Sequence, residues 1–248
     1  MDLQVILNTY ATDVFRRQAD LDYVAARMNY QLQLRQQFLW SGHQAIEKYL
    51  KGILLFNGLS SRWYEDSDGK KHNYVHNLPA LLIHAQKLPH FENALSKRSE
   101  EFLNLLDRTG GANNRYIVTR TFNLPNAIHM LDELVWRIRR FCQYMPDRGL
   151  GSTAPVPGLR NAFIRSLHKE EYLRNPHKFR LPGGELERIL KRKPSDKARR
   201  ALVWANLWYG SKARKAVSYQ SFSSSEIPPR ERNWRDVDWD EVEKYVRL

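Results

Sequence analysis

The stretch Phe38–Gly58, FLWSGHQAIEKYLKGILLFNG, narrows the fold before anything else is read. Leu39, Ile46, Leu50 and Ile53 recur at three- and four-residue steps or their sum, while Glu47, Lys48 and Lys51 fall on another side. The spacing predicts an amphipathic core helix ending at Asn57-Gly58, where a left-handed glycine closes the last turn. A helix with one apolar face must bury it against another element, and the flanking sequence supplies more helices.

Thr9–Leu34 carries Val14, Gln18, Leu21, Ala25, Met28 and Leu32 on a near-heptad stripe, with Phe15, Ala19, Tyr23 and Tyr30 beside it. This predicts one long helix whose partner is the Phe38–Gly58 helix, joined through Arg35-Gln36-Gln37. SRWYEDSDGKKHNYVH, residues 61–76, is polar and rich in turn formers and reads as a loop. His72 and His76 within it have an i,i+4 spacing that suits a metal only on a helix with a third ligand, so no metal is expected. Short apolar periodicities then predict helices over Asn77–Lys87 and Phe91–Arg108, with Pro89 between them. TGGANNRYIVTRTFN, residues 109–123, breaks helical order and is the loop best placed to carry function.

Leu124–Met145 is the most regular helix: Leu124, Ile128, Leu131, Val135, Ile138, Cys142 and Met145 alternate by fours and threes, and Pro125 falls in the first turn. Asp132, Glu133, Arg137, Arg139 and Arg140 lie off that stripe. Two readings of it are open, a core face within one subunit or a seam between two. No strand pattern stands out. The expectation is all-α: an antiparallel, up-and-down helical bundle over residues 1–145, a linker over 146–158 (Gly, Pro, Ser and Thr), and a mostly helical basic extension over 159–248 packed on the bundle. In the extension, helices are predicted over Asn161–Tyr172, over Glu185–Arg192, and from a Ser195 cap through ALVWANLWY to Gly210. The SFSSSEIPPRERNWRDVDW tail reads as irregular until Asp238 and Glu241 resemble a capping box.

Charge bears on partners. The formal net charge is +13, and it is uneven: 19 Lys and Arg oppose 15 Asp and Glu through residue 150, whereas 21 oppose 12 after it. A basic excess of this kind suits nucleic acid, nucleotides or an acidic protein. The run KRKPSDKARRALVWANLWYGSKARK places Lys191, Arg192, Lys193, Lys197, Arg199, Arg200, Lys212, Arg214 and Lys215 around Trp204, Trp208 and Tyr209. Cations neutralise phosphates and aromatic faces stack on unpaired bases, which is what single-stranded binding requires. The plainer alternative packs those aromatics on the bundle and leaves the cations solvated. Arg115 and Tyr116 in the glycine-rich loop are a further candidate phosphate and base contact.

The single Cys142, the lack of a basic leader followed by an apolar run, and the lack of any apolar run of about eighteen residues suggest a cytoplasmic protein with no membrane span. Phosphate-binding glycine loops, nucleophile elbows and H-E-x-x-H are all missing, and no cofactor is expected.

FRRQADLDYVAAR, HQAIEKYLKG, HNL and RY stand in order within residues 10–145, and in that order they resemble the HEPN family (higher eukaryotes and prokaryotes nucleotide-binding). The resemblance implies a helical bundle, a homodimer, RNA or nucleotide as ligand, a role in prokaryotic defence or a toxin–antitoxin pair, and in some members a nucleotidyltransferase partner. It also implies, for the catalytic branch, a metal-independent ribonuclease with arginine four to six residues ahead of histidine. None of the eight histidines has an arginine at that spacing. Arg120 and His129, with eight residues between them, are the catalytic candidates. From a different class, the chain could be a non-catalytic oligomeric interaction protein whose basic surface docks an acidic protein.

Overall fold

Two helical arms, joined by a tight turn, build the N-terminal half. The first runs through α1 (Leu3–Tyr10), a π-helical segment (Ala11–Arg16) and α2 (Arg17–Gln31), and the second is α3 (Arg35–Phe56). The computed structural model describes residues 3–112, 120–122, 126–147, 154–210 and 225–227, with 238, 240, 241 and 244 beyond them. The turn is Leu32–Leu34 with Gln33 at a φ of 60°, so the Arg35–Gln37 tripeptide expected as the connection is instead the first turn of α3. At its other end α3 closes as its sequence implies. Gly58 takes a φ of 73°, and the Gly58 and Leu59 N–H groups donate to the carbonyls of Leu55 and Leu54 at 3.0 and 2.9 Å.

The near-heptad stripe of the first arm is not its buried side. Val14, Leu21 and Leu32 are exposed, Leu32 by 66%, while Ala19, Asp20, Tyr23, Val24, Ala26 and Arg27 are buried. The face won by burial contains an acid and a base, which apolar counting assigns to solvent; both are admitted because each meets an opposite charge inside. α3 is the central element. Phe38, Leu39, Ile46, Tyr49, Leu50, Ile53 and Leu54 are all buried, and the helix packs on α2 and on three later helices.

Those are α4 (Leu78–Gln86), α5 (Lys97–Gly110) and α6 (Ala127–Arg139). Asn77 caps α4 by accepting from the Ala80 N–H at 2.8 Å. α5 begins six residues later than the Phe91 start expected, because Ser96 takes the cap, accepting from the Ser99 N–H, and Phe91 is buried in the turn before it. α6 stops at Arg139 rather than Met145, where the Phe141 and Cys142 N–H groups tighten onto Ile138 and Arg139. Leu124 and Pro125 lie outside the described residues. Ile128, Leu131, Val135, Ile138, Cys142 and Met145 are buried within this one chain, which answers the question about that stripe in favour of a core face.

Residues 61–76, expected as a loop, contain an antiparallel hairpin of β1 (Trp63–Glu65) and β2 (Lys71–Asn73). Its turn is held by the Asp66 carboxylate, which accepts from the Asp68 and Lys70 N–H groups, with Gly69 at a φ of 74°. A second pair joins β3 (Arg120–Phe122) to β4 (Ser225–Ile227), so the tail expected to be irregular supplies a strand.

The C-terminal part comprises α7 (Leu159–Leu167), α8 (Glu170–Arg174), a short 3-10 turn (Pro176–Lys178), α9 (Glu185–Leu190) and α10 (Lys197–Val203). α10 is capped by Asp196 and not Ser195, the Asp196 carboxylate accepting from the Arg199 N–H at 2.9 Å. It ends at Val203, seven residues short of Gly210, and Ala205 at a φ of 47° turns the chain away. At Asp238 the expected cap is present: its carboxylate accepts from the Asp240 and Glu241 N–H groups. Among the described residues the chain is predominantly helical, and no helix is long and apolar enough to cross a membrane.

Candidate nucleic-acid interface

The basic segment after residue 184 is fixed to α2 and α6 by two buried polar networks. In the first, Asp20 accepts from Arg139 through both carboxylate oxygens, from the Tyr49 hydroxyl at 2.6 Å, and from the Glu185 and Leu186 N–H groups at 2.9 and 3.1 Å. Those amides open α9, whose N-cap is Gly184 with no side chain to offer, so an aspartate from α2 does the capping. A Cβ there would lie 2.1 Å from a Glu187 carboxylate oxygen and 2.4 Å from Arg139 Nη2, so a larger residue would displace that ion pair. Burial alone would weaken the hold of Arg139 on its proton, but Asp20 and Glu187 outweigh it and keep the guanidinium charged well beyond the usual range.

The second network centres on Arg27. Its guanidinium pairs with Asp132 and donates to the carbonyls of Ala201, at 2.8 Å, and Trp204. A cation thus sits on the unsatisfied carbonyls that end α10. The Tyr23 hydroxyl donates to Asp132 at 2.6 Å and accepts from Asn206 Nδ2 at 2.9 Å. Asn206 also accepts from the Trp208 and Tyr209 N–H groups, which builds the turn that follows α10.

Held this way, the segment turns one side outward. Lys191, Arg192, Lys193, Lys197 and Arg200 are exposed, and Trp204 is 49% exposed beside them. Arg192 is engaged with Glu185 at 3.3 Å and Asp196 at 3.8 Å, and Arg199 Nε donates to the Leu190 carbonyl at 3.0 Å. Lys191, Lys193, Lys197 and Arg200 make no ion pair among the described residues. The aromatics divide. Trp208 packs on Trp136 with ring centroids 5.0 Å apart and Tyr209 is buried against Tyr23, whereas Trp204 faces out. Because α10 ends before it, Trp204 does not share a helical face with Trp208.

Lys212, Arg214, Lys215, Arg115 and Tyr116 lie outside the described residues, and Arg120 is described only through its backbone in β3. His129 is on α6 and only 9% exposed. Burial lowers its basicity, with the Asp132 carboxylate opposing and Arg27 reinforcing that effect. His72 and His76 each hold a carboxylate, His72 that of Asp66 at 2.7 Å and His76 that of Glu47 at 3.0 Å. Lys51 reaches the same Glu47 at 2.5 Å, and although burial works to raise that acid, Lys51 and His76 together hold it below the ordinary glutamate value. No group of three His, Cys, Asp or Glu able to hold a metal occurs among the described residues.

The residues that orient the segment, Asp20, Arg27, Asp132 and Arg139, were not among the sequence-derived candidates. Their signal was the placement of charges at helical spacing beside apolar faces, which ordinarily marks a solvated side. Comparison of the chain with protein-family models, with curated proteins and with solved structures finds no match.

Proposed function

We propose that this chain is a HEPN-type helical protein, working as a homodimer, that binds single-stranded RNA or nucleotide phosphates on its basic C-terminal surface. The observation that carries the reading is the exposed indole of Trp204 among exposed cations, four of which make no ion pair among the described residues. Cations without carboxylate partners cost little desolvation when they meet phosphates, and a free aromatic face offers stacking to an unpaired base. The order of the FRRQADLDYVAAR, HQAIEKYLKG, HNL and RY elements supports the family and, through it, a role in prokaryotic defence alongside a nucleotidyltransferase or antitoxin. The reading is one of binding. Arg120 and His129 remain the pair to substitute in a ribonuclease assay, and the low basicity of a buried His129 argues for proton transfer elsewhere if cleavage is found.

Titration of the intrinsic tryptophan fluorescence with an oligouridylate at two salt concentrations tests this. Binding should quench a signal that is lost in Trp204→Phe, weaken steeply as salt rises, and weaken further in the Lys197→Glu/Arg200→Glu double variant. No binding at low salt would leave the basic surface to an acidic protein partner instead.

A further inference from the structure

Between the N-terminal arm and the turn after α6 lies a groove of about 1150 Å³ that is lined in part by Arg16. Arg16 ends the π-helical segment and is only 8% exposed, yet it makes no hydrogen bond or ion pair among the described residues. Its guanidinium carbon lies 6.0 Å from the centroid of the Phe56 ring. The surrounding acids are committed or remote from solvent exclusion. Glu185 is shared by Arg17, Arg188 and Arg192, Asp20 is taken by Arg139, Asp147 accepts from the Tyr144 hydroxyl at 3.0 Å, and Asp13 is exposed on the rim. Arg16 is largely buried, yet its guanidinium nitrogens keep contact with solvent, so the charge is presented to the groove and open to an anion.

We infer that this groove binds a small phosphomonoester with an apolar or aromatic body, its phosphate seated on Arg16. The groove is far larger than an inorganic ion needs and slightly exceeds the usual small-molecule site of about 300–1,000 Å³. Arg160 lines the same groove and spends one nitrogen on Asn57 Oδ1 at 2.9 Å, so a second cation stands ready for a dianion. Asn8 and Thr12 add polar groups, and Phe56 with Phe163 offers apolar surface for the body of the ligand. Asp13 and Asp147 also line the groove, which favours a ligand whose charge is concentrated in one group over one that is anionic throughout. The groove residues are separate from Lys191–Trp204, so the inference does not depend on the RNA reading.

The test is thermal stability and calorimetric binding with adenosine monophosphate, phenyl phosphate, inorganic phosphate and adenosine as probes. The two phosphomonoesters should bind saturably and raise the melting temperature, and adenosine should do neither. Arg16→Met should weaken phosphomonoester binding on the order of tenfold or more while leaving the ligand-free melting temperature unchanged or higher, because it removes a charge that makes no ion pair among the described residues. Arg160→Gln, on an exposed side chain, should weaken binding less and fold normally. Lys197→Glu/Arg200→Glu should leave phenyl phosphate binding intact, which keeps failure here distinct from failure of RNA or nucleotide binding on the basic surface. The inference is overturned if neither phosphomonoester binds, if binding survives Arg16→Met, or if inorganic phosphate shifts wild type and Arg16→Met alike. A large loss of ligand-free stability in Arg16→Met would also overturn it, since Arg16 would then be structural.

Discussion

Arg139 and Asp20 meet in the interior in a two-point contact, Nε to one carboxylate oxygen at 2.6 Å and Nη2 to the other at 2.8 Å, although 119 residues separate them in the chain. Both are essentially inaccessible to solvent. The pair joins α2 to α6, and because the same carboxylate receives the first amides of α9, it also sets where the C-terminal segment lies. A bidentate guanidinium–carboxylate contact with its remaining lone pairs satisfied is the geometry in which burial of two charges is best offset.

Asp20→Asn should therefore be among the most damaging conservative changes in the molecule. It leaves Arg139 with Glu187 alone and takes the counter-charge from a buried guanidinium, at a cost of about 3–5 kcal/mol. Urea unfolding should show the midpoint falling accordingly, and limited proteolysis should open first between residues 181 and 192 as α9 loses its anchor, while α10 keeps its contacts with Arg27. A shift under about 1 kcal/mol would mean that the network positions the segment without stabilising it.

The pH dependence of stability has an assignable component in His90. Burial, reinforced by Arg160 and His168, holds its imidazole down to about 4, against 6.5 for the free side chain. Between those values the unfolded chain binds a proton that the native chain refuses. Stability therefore falls as pH drops from about 6.5 towards about 4 and this component levels off below it. Glu47 and Glu187, both held below the ordinary glutamate range, lose their contributions at lower pH as they protonate. Urea midpoints at pH 7, 5.5 and 4.5 should decline less steeply in His90→Gln than in wild type; parallel profiles would remove His90 as the cause.

These two cases show where sequence and structure part. The apolar periodicity of α3, its Gly58 stop and the core stripe of α6 were legible because one property, burial of apolar surface, decides them. The orientation of α2 was not. Its most regular apolar stripe faces solvent, and the buried side carries Asp20 and Arg27, whose partners on α6 are more than a hundred positions away. Pairing of that kind has no local signature. The end of α10 was missed for a similar reason, since the turn built by the Asn206 side chain is held in place by Tyr23 and Arg27, far away in the sequence. Of the candidate interface, the basic character was visible in the sequence, but the division of Trp204 from Trp208 needed the fold.

Cys142 offers a report on global opening. The thiol is fully buried, and burial pushes its pKa up to about 12, with Asp20 adding to that and the Arg16 and Arg139 charges opposing it. Thiolate is the reactive form, so a thiol reagent should label native protein only through unfolding. Labelling should then follow a single slow phase whose rate rises with urea in parallel with the unfolding rate. Fast labelling in buffer would place Cys142 in a locally opening region instead.

Gly52 of α3 lies against Cys142, and this contact gives a coupled test of packing. A Cβ at this position would stand 2.7 Å from Cys142 Sγ and 3.5 Å from Phe15 Cβ, beside the π-helical segment. Replacing glycine in a helix by alanine ordinarily gains about 1 kcal/mol in backbone terms, whereas forcing a methyl into a filled core costs about 1–3 kcal/mol. Sulfur leads the clash, so Gly52→Ala should destabilise in the presence of Cys142 and be neutral or stabilising once Cys142→Ala has removed the sulfur. The double-mutant cycle should return a coupling of about 1–2 kcal/mol in favour of the pair. Additive effects would mean that α3 and the residues after α6 separate easily. In that case Gly52 would serve the π-helical segment through Phe15 and the Ala11 carbonyl, 3.9 Å away, and not the contact with Cys142.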